Sequence, residues 1–298
     1  MSGPEMLLRR VEGIGKDNES GAAELTLAAI ELLGEFREAG DSKLAVEILL
    51  KLLDQKPTMA PLVNLVNGSL LAMDDGVPLP DFLAEFQNEI ESGSRMVSDI
   101  ASSMVADGYR IMTYSNSSTL METFRKAAAD GREFEVVLSE ARPVREGIIM
   151  AEALKNLGIG VDLVADSALF QEMEEVHMVM VGADALSHKY LVNKIGTRGL
   201  AAQARLLGKD LIAVAGSVKV LPSGIDNYRK VLRPPDEIAE KIEGVNITNY
   251  YFDQTPLHLV TRVVTEKGPM GPFEIMEAAS GKKVHGLVRE HFSSWEPK

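Results

Sequence analysis

The sequence contains no cysteine among its 298 residues. This absence excludes disulfide bonds, thiolate metal sites and cysteine nucleophiles. Long apolar runs are also missing, since no stretch approaches the roughly 20 residues that a membrane-spanning helix needs. The first residues lack the charged-then-apolar pattern of a signal peptide. We therefore expect a cytoplasmic protein that does not act at a membrane.

Basic residues are scarce relative to acidic ones: 31 Lys and Arg stand against 44 Asp and Glu, for a formal net charge of −13. No basic run with interleaved aromatic residues occurs, which argues against direct binding of nucleic acid. A small anionic ligand remains compatible with an acidic surface. The sequence also lacks spaced metal ligands, a phosphate-binding glycine loop and a nucleophile elbow, so no metal and no cofactor are expected.

Apolar residues make up 45% of the chain, which is enough to build a full core. Up to residue 104 the apolar positions recur at helical spacing, and we predict helices over 20–36, 42–53, 59–72 and 81–104. Residues 1–19 are mixed in character and are expected to form a leading segment of low order. We predict a helical N-terminal domain over residues 1–106.

The pattern changes at Gly108, after which short apolar segments alternate with helical ones. Strands are predicted at 109–114, 134–138, 161–164, 178–181 and 211–215, with helices between them at 120–129, 147–157, 169–174 and 199–207. This alternation implies βαβ units and a parallel sheet covered on both faces. The prediction is an α/β protein whose Rossmann-like domain spans residues 107–298. After Pro222 the pattern weakens to a short helix at 236–242, an apolar segment at 257–264 and one terminal helix.

Polar side chains follow each predicted strand. In a parallel sheet the carboxyl ends of the strands lie at one edge, where α/β proteins bind small molecules. Asp184 follows the buried strand 178–181 and is either a catalytic carboxylate or a turn cap. The other groups placed at strand ends are Ser115, Asn116, Ser117, Ser118, Arg142, Asp166 and Lys219.

Several of these groups suit an anionic ligand, and each also has a structural explanation. The serine run before helix 120–129 favours anion binding or simple N-capping by Ser117 or Ser118. The Arg142 fork fits two phosphate or carboxylate oxygens, or pairs with a nearby glutamate, Glu140 or Glu146.

Two further candidates lie just before the helix predicted near Thr197. Lys194 is a phosphate contact or a solvated charge. Asn193 binds a sugar hydroxyl or holds the turn. Together these residues indicate a pocket for an anionic, hydroxylated small molecule.

Four motifs carry a resemblance to a known family. They are Gly-Ala-Asp-Ala at 182–185, Asn-Lys-Ile-Gly-Thr at 193–197, Arg-Pro-Val-Arg-Glu-Gly at 142–147 and Phe-Asp-Gln-Thr-Pro at 252–256. From about residue 20 to 265 the chain resembles the initiation factor 2B alpha/beta/delta family. That family includes two aldose-ketose isomerases, which act on methylthioribose 1-phosphate and ribose 1,5-bisphosphate. The resemblance implies a helical part followed by a parallel-sheet part.

In the isomerases of this family, a cysteine and the Asp of the Gly-Ala-Asp motif shuttle protons between two sugar carbons. The resemblance places Asp184 in the role of that Asp. Ser115 stands where the family has the cysteine, and a hydroxyl is a much weaker acid than a thiol. A Ser-Gly-Ala run replaces the Arg-Gly-Ala phosphate motif. The substrate-binding positions that the resemblance and the strand-end pattern imply are Ser20, Gly21, Ala22, Asn116, Ser117, Arg142, Asn193 and Lys194.

The loss of the cysteine and the arginine favours a non-catalytic, initiation factor 2B subunit-like protein that binds a sugar phosphate or nucleotide in a regulatory or partner-docking role. The alternative is a sugar-phosphate isomerase that converts ribose 1,5-bisphosphate to ribulose 1,5-bisphosphate with Asp184 as the proton-transfer residue. That substrate is preferred because Arg142 and Lys194 together could hold a second phosphate. The resemblance also implies a homo-oligomer, either a dimer or a dimer-based hexamer, and another protein such as a translation factor as a partner.

Overall fold

The chain begins with helices. The computed structural model describes residues 3–17, 21–35, 42–225, 228 and 230–294. The helices that precede the first strand are α1 (Gly3–Lys16), α2 (Ala22–Leu33), α3 (Ser42–Gln55), α4 (Ala60–Asp74) and α5 (Leu79–Ser102). The expectation of low order is wrong for residues 3–16, because Leu7, Val11 and Ile14 recur at helical spacing and bury one face of α1.

Strands and helices alternate in the rest of the chain. The strands are β1 (Tyr109–Met112), β2 (Phe134–Ser139), β3 (Gly160–Val164), β4 (Met178–Val181), β5 (Ala185–Leu186), β6 (Tyr190–Lys194), β7 (Asp210–Val214), β8 (Phe252–Pro256), β9 (Arg262–Thr265) and β10 (Gly268–Met270). The helices are α6 (Ser118–Ala129), α7 (Glu146–Asn156), α8 (Leu169–Glu172), α9 (Thr197–Leu206), α10 (Pro272–Ser280) and α11 (Gly286–Ser294).

The main sheet has seven strands in the order β10-β9-β7-β4-β1-β2-β3. All neighbours pair in parallel except β9 and β10, which are antiparallel. The central strand β4 is buried at every position, as its continuous run of Met and Val predicts. The predicted α/β fold with a mostly parallel, Rossmann-like sheet is therefore confirmed.

A second, antiparallel sheet joins β5, β6 and β8. Its register sets Asn193 opposite Asp253 and Lys194 opposite Phe252. No strand was predicted over residues 185–194 or 252–256, so this sheet was not expected. Its strands are short, and Tyr-Leu-Val-Asn-Lys of β6 and Phe-Asp-Gln-Thr-Pro of β8 lack the regular alternation that is typical of a strand.

The end of the chain differs from its prediction in two places. The helix expected at 236–242 is a single 3-10 turn, Pro235–Glu237. The tail holds two helices, α10 and α11, where one was expected. Val288 and Phe292 of α11 pack into the core of the N-terminal helices.

None of the helices in the described ranges is long and apolar enough to cross a membrane. The same ranges contain no group of three or more His, Cys, Asp or Glu side chains arranged to hold a metal ion.

Candidate active site

A cavity of about 800 Å³ lies at the carboxyl ends of β1, β4 and β7. The turns after these strands provide one wall. The N-terminal helices provide the opposite wall, with Gly21 and Ala22 at the start of α2 and residues 54–59 from the end of α3 to the start of α4. The cavity therefore lies between the helical region and the sheet, and both parts of the chain contribute polar groups to it.

Asp184 lies at the floor of this cavity, directly after β4. Its main chain is held from two sides: the amide donates to the carbonyl of Val192 (2.9 Å), and the carbonyl accepts from the amide of Ala60 (3.0 Å). Its carboxylate forms no hydrogen bond with any residue in the described ranges. Burial raises the pKa of Asp184 to about 6, although the charges of Lys219 and Lys194 oppose the rise. A carboxyl group with this pKa exchanges protons readily near neutral pH.

Lys219 lines the cavity beside Asp184. It ends a single 3-10 turn, Ser217–Lys219, that follows β7. The pKa of Lys219 is lowered by burial, and the nearby Asp184 carboxylate only partly offsets this effect. The turn is fixed from α4, because the Asn64 amide donates to the carbonyls of Val218 (2.7 Å) and Val220 (3.0 Å).

Lys194 lines the cavity from the end of β6 and is 3% exposed. Its ammonium lies 2.7 Å from each carboxylate oxygen of Glu146, the first residue of α7. The same ammonium lies 5.4 Å from the ring centre of Tyr251. Lys194 is therefore a buried cation paired with a carboxylate. Of the two alternatives that the sequence left open for it, the solvated charge is wrong.

The neighbouring Asn193 also lines the cavity, and its amide donates to the hydroxyl of Thr197 (3.1 Å). Asp253 of the Phe-Asp-Gln-Thr-Pro motif accepts hydrogen bonds from the amides of Gly196 (2.8 Å) and Arg198 (3.2 Å). This carboxylate fixes the start of α9. It thereby holds the segment that carries Asn193 and Lys194.

The loop after β1 brings Ser115, Asn116, Ser117 and Ser118 to the cavity. Ser117 N-caps α6, because its hydroxyl accepts from the Leu120 amide. A side chain on Gly182 would place its Cβ 2.8 Å from the Ser117 hydroxyl, so only glycine permits this close approach between the two loops.

Ser115 itself adopts a left-handed backbone conformation, with φ of 70°. Within the described residues no group accepts a hydrogen bond from its hydroxyl. The described part of the chain thus contains no base positioned to activate this serine.

The substitute for the family's Arg-Gly-Ala motif is only partly described. Ser20 lies outside the described residues. Gly21 and Ala22 reach the cavity at the N-terminus of α2, where the Gly21 amide donates to Glu24 (3.1 Å).

Arg142 does not line the cavity. Its guanidinium donates to the main-chain oxygens of Glu237 (3.3 Å) and Ile238 (3.2 Å). The alternative role of Arg142, an ion pair with Glu140 or Glu146, is also wrong. Glu140 lies 3.8 Å from Arg145 instead, and Glu146 forms its ion pair with Lys194.

Asp166, expected at the same crevice, instead shapes the loop after β2. It accepts hydrogen bonds from the Ser139 hydroxyl (2.5 Å) and from the amides of Ala141 and Arg142 (both 2.8 Å). Arg142 and Asp166, which were predicted to lie in the crevice, therefore stabilise loops instead.

Sequence reasoning missed a second group of cations. Lys56, before α4, and Arg233, in the loop before β8, both line the cavity. The Arg233 guanidinium lies 4.7 Å from the ring centre of Tyr251. Burial and the charge of Arg233 lower the pKa of Lys56. Lys56 precedes Pro57 in a turn, and Arg233 lies in a segment without periodic pattern, so only their charge could have pointed to them.

The fold and the position of the cavity are those of an α/β protein with a small-molecule site at the carboxyl ends of its strands. The site combines one unpaired carboxylate of raised pKa, several cations, and the hydroxyl and amide groups of the loop after β1. The profile of the Initiation factor 2 subunit family matches residues 19–272. The chain belongs to this family, and the resemblance drawn from the motifs is confirmed.

Several curated relatives align with nearly the whole chain. The ribose 1,5-bisphosphate isomerase of Archaeoglobus fulgidus is 31% identical over 285 residues, which cover 90% of this chain and 90% of that protein. Its counterpart in Methanocaldococcus jannaschii is 28% identical over 291 residues, covering 91% and 92%. The crystal structure of translation initiation factor eIF-2B from Pyrococcus horikoshii OT3 matches with a TM-score of 0.79 at 28% identity, covering 92% of this chain and 99% of that one.

These comparisons bear on the two functions that the sequence left open. The first-ranked interpretation was a non-catalytic, subunit-like protein. The names of the curated relatives favour the alternative, an isomerase of sugar phosphates.

Proposed function

We propose that this protein is an aldose-ketose isomerase of a phosphorylated pentose, of the ribose 1,5-bisphosphate class, with Asp184 as the proton-transfer residue. The observation that carries the proposal is the Asp184 carboxyl group, whose pKa is raised to about 6 at the floor of a cavity flanked by cations. Perturbed carboxyl groups in clefts are typical of catalytic acids and bases.

The reaction is an isomerisation, so no atom is gained or lost. The bond between C1 and the ring oxygen breaks, the ring oxygen gains a proton, the 2-hydroxyl loses one, and the hydrogen on C2 moves to C1. Asp184 accepts the proton of the 2-hydroxyl, for which its ionised form is required.

The cavity offers two places for phosphate groups. Lys56, on the helical side, and Arg233, in the loop before β8, lie close enough for their charges to interact, and the N-terminus of α2 lines the same cavity. Lys194 and the loop after β1, which leads into α6, lie on the sheet side. Ligand binding at Gly21, Ala22, Asn116, Ser117, Asn193 and Lys194 is proposed on this basis.

A second candidate is a non-catalytic protein that binds the same kind of ligand and regulates or docks on a partner. Ser115 favours it, because this residue replaces the family's cysteine and has no activating base among the described residues. In that case the ligand binds without turnover.

The two candidates are separated by incubating the purified protein with ribose 1,5-bisphosphate and following both sugar phosphates by ³¹P NMR. The proposal predicts formation of ribulose 1,5-bisphosphate, with a rate that falls by a factor of about 10² to 10⁴ in Asp184→Asn. The control Asp210→Asn, at an exposed position outside the cavity, keeps the rate. Calorimetric binding without any turnover supports the second candidate instead.

Assembly is a separate proposal. The expected homo-oligomer, a dimer or a hexamer built from dimers, is tested by sedimentation of the purified chain. Co-sedimentation with a translation factor tests the partner-docking role.

A further inference from the structure

Lys219 occupies a rigid position at the cavity. Besides the bonds from Asn64, the Lys282 ammonium donates to the carbonyls of Ser217 (3.2 Å) and Val220 (2.7 Å). The chain after the turn is tied to β5, because the Leu221 amide donates to the Leu186 carbonyl (2.8 Å). The backbone that carries Lys219 is therefore held by α4, by β5 and by the segment that precedes α11.

The Lys219 ammonium forms no hydrogen bond or ion pair with any described residue. The charge that acts on it is the Asp184 carboxylate at the cavity floor. Two other carboxylates, Glu89 of α5 and Glu266 after β9, border a small hollow that Lys219 also lines. Glu266 is occupied by the Ser217 amide, from which it accepts a hydrogen bond (2.9 Å).

The proposed isomerisation has a chemical gap at Ser115. The ring oxygen must receive a proton as its bond to C1 breaks, and Asp184 serves the 2-hydroxyl in its ionised form. A serine hydroxyl without an activating base is a poor proton donor at neutral pH. A second acid must therefore lie in the cavity near Asp184.

We propose that Lys219 is this acid: its ammonium donates the proton to the ring oxygen while Asp184 accepts the proton of the 2-hydroxyl. The inference rests on the proposed isomerase function. After the step Lys219 is neutral and Asp184 is protonated, and transfer of one proton from Asp184 to Lys219 restores both groups. The pair thus performs the two proton transfers, and Ser115 is left to hold the substrate.

The charge state of Lys219 supports this role. A lysine whose pKa is lowered by burial gives up its proton more easily than a lysine in water. An arginine in the same place keeps the positive charge but does not release its proton in proteins.

The test compares Lys219→Arg with the wild type in the ribose 1,5-bisphosphate assay. We expect kcat to fall by a factor of about 10² or more, as for loss of a general acid, while KM changes by less than about threefold because the charge is kept. Adding Ser115→Cys to Lys219→Arg restores kcat at least about tenfold, since the thiol supplies the missing acid. The control Lys241→Arg, at an exposed position, leaves both constants unchanged.

The pH profile gives an independent readout. In the wild type, kcat falls at high pH as Lys219 loses its proton, and in the Lys219→Arg, Ser115→Cys variant this limb moves to the pKa of the thiol. If Lys219→Arg fails to fold, Lys219→Gln replaces it, with the same loss and the same rescue expected.

The outcomes separate the two proposals. If the wild type turns over no substrate, both fail. If turnover depends on Asp184 while Lys219→Arg raises KM and keeps kcat, Lys219 binds phosphate and only the present inference is overturned. Equal acceleration by Ser115→Cys with and without Lys219→Arg also overturns it.

Discussion

Lys194 and Glu146 form a bidentate ion pair in the wall of the cavity, with the ammonium 2.7 Å from both carboxylate oxygens. The lysine side chain is almost completely buried, and that of Glu146 is 25% exposed. The pair joins the end of β6 to the start of α7. It therefore connects the small antiparallel sheet to a helix that covers the main sheet.

Glu146→Gln is expected to lower the free energy of unfolding by about 3 kcal/mol or more, because it leaves the Lys194 charge buried without its partner. Urea denaturation at pH 7 measures the change. Glu140→Gln serves as the control: its partner Arg145 is 3.8 Å away and mostly exposed, so the loss should stay below about 1 kcal/mol. Equal losses in the two variants would show that the Lys194 charge needs no partner.

Asp184 makes stability depend on pH. Its pKa is raised from 3.8 to about 6 in the folded protein, so between these values the folded state binds more protons than the unfolded state. The free energy of unfolding of the wild type therefore falls as pH rises through this window. The side chain in Asp184→Asn is uncharged at every pH, so the variant does not lose stability through the ionisation of a buried carboxyl group.

We expect Asp184→Asn and the wild type to be similarly stable near pH 4. Above pH 6 the variant should be more stable, by on the order of 3 kcal/mol at about 1.4 kcal/mol per pKa unit. Thermal unfolding over pH 4 to 8 measures the difference. A gap that stays constant with pH would contradict the raised pKa.

Gly147, which follows Glu146 in α7, packs too closely against β2 to carry a side chain. A Cβ at this position would lie 1.8 Å from the main-chain oxygen of Ser139, at the end of β2. Gly147→Ala must push α7 away from the sheet, and we expect it to cost about 3 kcal/mol or more. Gly13→Ala, on the exposed face of α1 with no atom of a described residue within 4 Å of the added Cβ, should be neutral or stabilising by up to about 1 kcal/mol. Chemical denaturation of both variants checks the contrast.

Asn64 holds the turn that carries Lys219. In Asn64→Asp the side chain can no longer donate to the carbonyls of Val218 and Val220, so we expect a loss of about 1 to 3 kcal/mol of stability. If Lys219 is the acid of the isomerisation, kcat also falls as Lys219 moves. Asn67, one turn further along α4, donates to the Lys283 carbonyl outside the cavity. Asn67→Asp should lose similar stability and keep kcat, and a fall of kcat in both variants would point to general unfolding.

The sequence predicted the features that depend on regular patterns. The strands at 134–138 and 178–181 were placed within a residue of β2 and β4, because continuous apolar runs are typical of buried parallel strands. The position of Asp184 followed from the rule that parallel strands end at one edge. The cavity does lie at that edge.

Features that depend on loop paths were not predicted. Arg142 was expected in the cavity, but its guanidinium donates to carbonyls about a hundred positions later in the chain, in the segment that was predicted as the helix 236–242. Lys56 and Arg233 reach the cavity from segments without such a pattern. Their approach is decided by how the helical region packs on the sheet, which local sequence does not encode.

The proposed function depends most on Asp184, which accepts the proton of the sugar 2-hydroxyl in this cavity. A crystal structure of Asp184→Asn with ribose 1,5-bisphosphate tests it most directly, because the slow variant retains the substrate. The account predicts that the 2-hydroxyl lies within about 3.2 Å of the side chain at position 184, with one phosphate near Lys56 and Arg233. A sugar bound with position 184 facing a phosphate group, or bound outside the cavity, would contradict it.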